Sequence, residues 1–226
     1  MENTEEFIKK LEEKVKEELY GEPTGHDYYH SLRVMKLAEM LIKHEMKKGR
    51  KIDVDVVKIA TLIHDLKEEK FHKGSQSEYI SQLLKEYGVE EEMINKVVKI
   101  IKEIPYRGKD TKKTTSIEAA IIRDADWLDA LGVIGIARTH ATAAKLNQMI
   151  YDPERPPKPE MNEKEYRKRE TTAINHYYEK LLKLPEMMET EGGKKIAEER
   201  VEKMKKYLEW FFEEWNLEDA KRILNL

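Results

Sequence analysis

The chain has 226 residues, enough for one large domain or two small ones with a substantial buried core. Its 42 basic and 45 acidic side chains leave a formal net charge of −3, so no basic excess exists to hold a polymeric DNA or RNA. The absence of cysteine excludes disulfides and thiolate metal sites and suits a reducing cytoplasm. No apolar run approaches the ~18 residues of a membrane span, and the acidic start Met1-Glu2-Asn3-Thr4-Glu5-Glu6 lacks a signal peptide's layout. These features predict a soluble cytoplasmic protein that works neither on a membrane nor on polymeric nucleic acid.

The hydrophobic periodicity is helical nearly throughout. Asn3 and Glu6 form a capping-box pattern ahead of Phe7, Leu11, Val15 and Leu19. A second helix is predicted from about Tyr29 to Lys48, with Gly49 as its stop. Asp53 caps a third, dense in apolar residues (Val56, Val57, Ile59, Ala60, Leu62, Ile63), that carries His64-Asp65. Ser75 and Glu78 repeat the capping-box pattern before Tyr79, Leu83 and Leu84, and Gly88 ends that helix. Another runs from about Glu90 to Ile104, stopped by Pro105. Ser116 opens a long helical segment through Asn147. The stretch Tyr151-Asp152-Pro153-Glu154-Arg155-Pro156-Pro157-Lys158-Pro159 reads as an exposed loop, because its prolines lack donors and disfavour helix before them. Asn162 and Glu165 restart a helix to about Leu184, and a last one runs from about Gly193 to Trp215. With no period-2 strand and no internal repeat, the class is all-α. Two helices after the proline loop are too little for a core of their own. Residues 1–226 therefore read as one domain, with the helices of 162–216 packing back on the rest.

The chemistry concentrates in three segments. His64-Asp65 closes a buried apolar run, an expensive place for an imidazole and a carboxylate unless something satisfies both. His30, in Tyr28-Tyr29-His30-Ser31-Leu32-Arg33, and Asp126, in Asp124-Ala125-Asp126-Trp127-Leu128-Asp129, offer ligands of the same kind. A divalent metal would explain the whole set, and a nitrogen-and-oxygen site without sulfur suits Mn, Fe, Mg, Ni or Zn. The spacings are too long for a local zinc motif, so the ligands must converge through helix packing. Asp124, Asp126 and Asp129 compete for the last position. Asp124 and Asp126 point about 200° apart on a helix, whereas Asp129 shares a face with Asp126 and can orient a ligand.

Glu68, one helical turn past Asp65 if that helix continues, would face the same side and could orient or deprotonate an attacking water. Arg33 and Lys67 are the cations placed to hold phosphate oxygens, and are otherwise solvated surface charges. Of the remaining histidines, His26 sits in a loop beside the capping residue Asp27, His44 lies among charges, His72 is in a loop, and His140 and His176 belong to helix cores or edges. The stripe Trp210, Phe211, Phe212 and Trp215 reads as core or as a homodimer surface.

His30-x-x-Arg33-Val34, His64-Asp65 and Asp124-Ala125-Asp126-x-Leu128-Asp129 together resemble the HD-domain superfamily of metal-dependent phosphohydrolases. Gly25-His26-Asp27-Tyr28-Tyr29-His30, Leu131-Gly132-Val133-Ile134-Gly135-Ile136-Ala137-Arg138 and Ile174-Asn175-His176-Tyr177-Tyr178-Glu179-Lys180-Leu181-Leu182 look like its bacterial YpgQ/YedJ-like subgroup. The resemblance spans Gly25 to Trp215. It implies a bundle of about ten helices around a single metal site. It also selects Asp126 over Asp124, giving the ligand set His30, His64, Asp65 and Asp126. Asp65 would act in catalysis as well. Glu68 falls where some nucleotidase and ppGpp-hydrolase relatives carry a catalytic glutamate. The implied activity is cleavage of a (d)NTP, a small-molecule nucleotide, to a monophosphate and pyrophosphate with one divalent cation. Mn2+ comes first, ahead of Mg2+, Fe2+, Ni2+ or Zn2+. A 5′-nucleotidase or phosphomonoesterase is the alternative within the class, and a catalytically silent nucleotide-binding module the alternative outside it.

Overall fold

Residues 4–67 and 74–226 are described by the computed structural model, and among them the only element that is not helical is a lone bridge between Arg107 and Lys109. Helix α1 (Thr4–Leu19) buries Leu11, Val15 and Leu19, the inner face of its four-residue repeat. Asn3 of the expected capping box lies outside the described residues. Helix α2 (Tyr28–Lys47) starts on the Asp27 carboxylate, which accepts the His30 backbone N–H at 2.7 Å, and ends before Gly49 at φ +82°. Helix α3 (Val54–Ile63) is capped by Asp53 and is apolar nearly all round. Val56, Val57, Ile59, Ala60, Leu62 and Ile63 are at most 2% exposed, which makes it the central element of the core. It stops at Ile63. His64 is its C-cap, and His64 to Lys67 form a turn, with Lys67 at φ +51°. The helix on which a same-side placement of Glu68 was conditional ends before Asp65; Glu68 itself, like His72, lies outside the described residues.

Helix α4 (Gln76–Glu86) starts on Ser75, and helix α5 (Glu91–Glu103) ends just before Pro105. The segment expected to run unbroken from Ser116 to Asn147 is two helices, α6 (Ile117–Asp129) and α7 (Gly132–Lys145). The chain turns between them because Gly132 takes φ +72°, against which the Arg200 side chain packs too closely for a Cβ to sit without displacement. After the proline loop, Asn162 and Glu165 close a capping box on helix α8 (Glu163–Lys168). The helix expected to continue to Leu184 breaks there. Thr172 accepts the Asn175 N–H and starts helix α9 (Ala173–Glu179), followed by a 3-10 turn (Leu181–Lys183) and the short helix α10 (Leu184–Met187) with Pro185 in its first turn. Helix α11 (Glu191–Trp215) begins on Thr190, and helix α12 (Glu218–Leu224), absent from the sequence reading, follows.

Helices α2 and α6 lie along one another, and α3 packs against both as well as against α1 and α5. The three segments with candidate ligands are thus mutual neighbours. Helix α11 covers α7 and α6 and reaches α2, burying Ala197, Val201, Met204 and Leu208. The aromatic stripe divides. Tyr151 from the proline loop packs edge-on against Phe212 (5.4 Å) and Trp215 (4.9 Å), whereas Trp210 is 61% exposed. The proline loop is tied down from inside by Glu179, which accepts from Arg169 Nε (2.7 Å), the Thr171 hydroxyl (2.8 Å) and the Lys158 backbone N–H (3.3 Å). Among the described residues no helix is long and apolar enough to cross a membrane.

Candidate metal centre

Three local devices aim the ligands. On α2 the fully buried His30 donates its Nδ1 hydrogen to Asp129 Oδ2 at 2.7 Å, which turns Nε2 away from α6's last turn and toward the end of α3. At the α3 C-cap, His64 donates Nδ1–H to the carbonyl of Thr61, also at 2.7 Å, so its Nε2 is again the outward nitrogen. Asp65 follows, with Oδ2 at 3.1 Å from His30 Nε2 and Oδ1 at 3.4 Å from His64 Nε2. From α6, Asp126 brings Oδ1 to 3.4 Å from His30 Nε2 and 3.6 Å from His64 Nε2. The two imidazole centroids are 5.3 Å apart.

His30, His64 and Asp65 each offer one ligand atom within 4.8 Å of the others, all buried. Asp126 stands beside them with its side chain 23% exposed, so the cluster has an open side. Among the described residues His30 Nε2, His64 Nε2 and Asp65 Oδ2 are buried without a hydrogen-bond partner of good geometry. Three such orphans around one point would cost several kcal/mol if nothing joined them. A divalent cation is the group that satisfies all three, and an imidazole-and-carboxylate donor set fits it.

The electrostatics agree. Burial works to raise the Asp65 carboxylate, but the His64 and His30 imidazoles hold it below the usual range, and the same pair lowers Asp126. Burial and Arg138 work to depress His30, yet Asp65, Asp126 and Asp129 lift it to about 10. His64 is likewise raised. A cation held here would compete with protons for these imidazoles.

Asp129 anchors the back of the cluster. Besides His30 it accepts from Arg33 Nε (2.8 Å) and a terminal Arg33 nitrogen (2.9 Å), and from a terminal nitrogen of Arg138 at 3.3 Å. Arg33, 35% exposed, thus stands next to the ligands. Lys67 is turned the other way. Its ammonium lies 3.5 Å from Glu18 Oε2 and over the Tyr79 ring. Asp124 faces away altogether, accepting from the Glu189 and Thr190 backbone N–H groups and the Thr190 hydroxyl at the start of α11. Sequence reasoning gave no role to Arg138 or to the loop Glu22–His26. The available signal was Gly25, held at φ +80° with Arg138 Cγ only 2.6 Å from where a Cβ would be.

Two imidazoles and two carboxylates brought to one buried point by three packed helices, with no strand among the described residues, define a metal-dependent hydrolase of the all-helical type. The chain belongs to the HD-domain family, whose pattern matches residues 27–131. Along 187 residues it is 35% identical to YpgQ of Bacillus subtilis, covering 80% of each chain. Its fold superposes on the crystal structure of a Lactobacillus plantarum protein with TM-score 0.82 at 29% identity, covering 96% of this chain and 99% of that one. An HD-superfamily hydrolase from Bacillus thuringiensis is 35% identical with TM-score 0.68, covering 95% and 99%. YpgQ has itself been crystallised in complex with ADP; that structure is 28% identical with TM-score 0.68, covering 92% and 97%.

Proposed function

We propose that this protein hydrolyses a nucleoside triphosphate to the monophosphate and pyrophosphate, using one divalent cation, with Mn2+ the first choice. The observation that carries the reading is the trio of orphaned buried atoms, His30 Nε2, His64 Nε2 and Asp65 Oδ2, beside the half-open Asp126. The ADP bound to YpgQ supports a nucleotide as substrate. His30, His64, Asp65 and Asp126 would hold the cation, which when bound neutralises phosphoryl charge and acidifies water. Arg33, fixed in place by Asp129, would steer phosphate oxygens to the open side. Asp65 spans both imidazoles and would keep one oxygen available to orient water. Lys67 would join Arg33 only by leaving Glu18, so Arg33 is the stronger candidate for binding phosphate. Residues 1–226 act in this reading as one catalytic unit, and the lack of cysteine supports placing it in a reducing cytoplasm.

The test is product analysis on the metal-loaded chain, with a panel of nucleoside tri- and monophosphates in heavy-oxygen water. Release of pyrophosphate with the label in the monophosphate supports the reading. Orthophosphate released from a monophosphate would replace it with a 5′-nucleotidase. Saturable nucleotide binding with no product would leave a silent binding module.

A further inference from the structure

His30 and His64 are each aimed by a hydrogen bond from the ring, but the Asp65 carboxylate has no such device. Its Oδ2 is an orphan, 3.1 Å from His30 Nε2, so the direction of the side chain follows from the backbone that carries it. That backbone is the turn leaving α3, and a helix end leaves its last carbonyls to be satisfied from outside. The Thr61 carbonyl takes the His64 ring at 2.7 Å, and the Ile63 carbonyl takes the Leu66 N–H at 3.1 Å. The carbonyls of His64 and Leu66, which flank Asp65 in the chain, accept from a single group: Gln76 Nε2, at 2.6 and 3.0 Å. A carboxamide carries two N–H hydrogens, one for each carbonyl. Gln76 is the first residue of α4, just after the Ser75 cap, and a side chain there leans back toward the helix start. Three positions on, Tyr79 shares its face of α4. The Tyr79 ring centroid lies 5.7 Å from the Lys67 ammonium, and its hydroxyl donates to Glu18, the partner of Lys67. Lys67 holds φ +51°, a left-handed conformation that an L side chain adopts only when its surroundings keep it there.

We propose that Gln76 is the positioning residue for Asp65: it clamps the carbonyls on both sides of that residue, so that the carboxylate keeps spanning the two imidazoles. Gln76 touches neither the ligand atoms nor a substrate, and acts through the main chain. The proposal rests on the nucleotide-hydrolase reading for its effect on rate, and on the donor set alone for its effect on an ion. Asp126 needs no such clamp, because it sits inside α6 and the helix fixes its backbone. Asp65 lies beyond the end of α3, where no further turn of helix holds it. The other tie on this turn is the Lys67–Glu18 ion pair at 3.5 Å. The Lys67 side chain is 43% exposed, so water and salt weaken that pair. The part-buried amide bonds of Gln76 are both closer to the ligand in the chain and indifferent to ionic strength.

The experiment compares full chains of wild type, Gln76→Met, Gln76→Ala and Gln82→Met, the last a control at an exposed position of the same helix. Methionine matches glutamine in length and carries no donor. Each chain is titrated with Co2+ and followed by visible absorption, which reports the geometry of the donor set. Both Gln76 variants are expected to bind Co2+ ~10–100-fold more weakly than wild type and with a shifted band, and Gln82→Met to match wild type. With saturating Mn2+ and the nucleotide that wild type cleaves fastest, both Gln76 variants are expected to lose kcat by ~10-fold or more, with KM changed by less than about threefold. A folded Gln76→Met with wild-type band and Co2+ affinity within about threefold overturns the proposal. If both Gln76 variants fail to fold, hydrogen exchange at the wild-type side-chain amide decides: protection of both Nε2 hydrogens supports the clamp, and free exchange overturns it. Wild type that binds Co2+ but cleaves no nucleotide rejects the hydrolase reading, and the Co2+ titrations then decide this proposal on their own. Wild type that takes up no Co2+ rejects both.

Discussion

Replacing Asp129 with asparagine tests whether the centre is held from behind. The carboxylate, 2% exposed, takes four hydrogen bonds: one from His30, two from Arg33 and one from Arg138. Asparagine keeps the outline, but its single amide oxygen accepts about two and its NH2 must face a donor. Hydrogen bonds to charged partners contribute ~1.5–3 kcal/mol each, and leaving a buried positive charge uncompensated costs ~3–5 kcal/mol. The Arg33 side, 35% exposed, recovers part of this by hydration. A loss of ~3 kcal/mol in the metal-free chain follows, which lowers Tm by ~6–12 °C at this size. His30 meanwhile loses the acceptor that aims its Nε2, and metal affinity is expected to fall ~10–100-fold. Thermal denaturation without metal and a calorimetric metal titration measure the two effects separately. A folded variant that binds metal within about threefold of wild type would refute the argument that Asp129 positions the ligand.

Four further outcomes are expected. His64→Ala and Asp126→Ala should each lose bound metal and nucleotide hydrolysis while keeping the wild-type helical circular dichroism; activity in either rejects the site. A cation at about a hundred times its Kd should stabilise the wild type by ~2.7 kcal/mol, raising Tm by ~5–11 °C, and should leave Asp126→Ala unmoved. Gly21→Ala and Gly25→Ala both place a Cβ at left-handed φ, costing ~1–2 kcal/mol, but only the second meets an atom, Arg138 Cγ at 2.6 Å, so Gly25→Ala should melt distinctly lower. Equal melting losses would deny the clash. Glu179→Gln removes the buried charge that holds the Lys158 backbone N–H of the proline loop together with Arg169 and Thr171, and limited proteolysis should then cut within 151–160 faster than in wild type.

Much of the scaffold is legible because helix caps are local. Asp53, Ser75, Ser116 and Asn162 were each readable as N-caps from their own neighbourhoods, and each accepts a backbone N–H in its helix's first turn. His64-Asp65 is legible for a different reason: a charged pair closing the most apolar run of the chain is costly enough to demand an explanation. Helix ends set by tertiary contact are not legible. Ile63, with a polar pair beyond it, looks like mid-helix, and the turn at Gly132 shows only once Arg200 is packed against it. The supports of the site are hidden by distance. Asp129 meets Arg33 across 96 positions, and Asp124 meets Thr190 across 66.

Helix α6 sets three aspartates to three separate tasks by angle alone: Asp124 outward to the start of α11, Asp126 to the imidazoles, Asp129 to the arginines. Every residue inserted or deleted between them would rotate the following carboxylates by about 100°, taking each off the partner it meets. Length variation among related chains should accordingly be nil between 124 and 129 and collect in stretches such as the proline loop, where no such phase has to be kept.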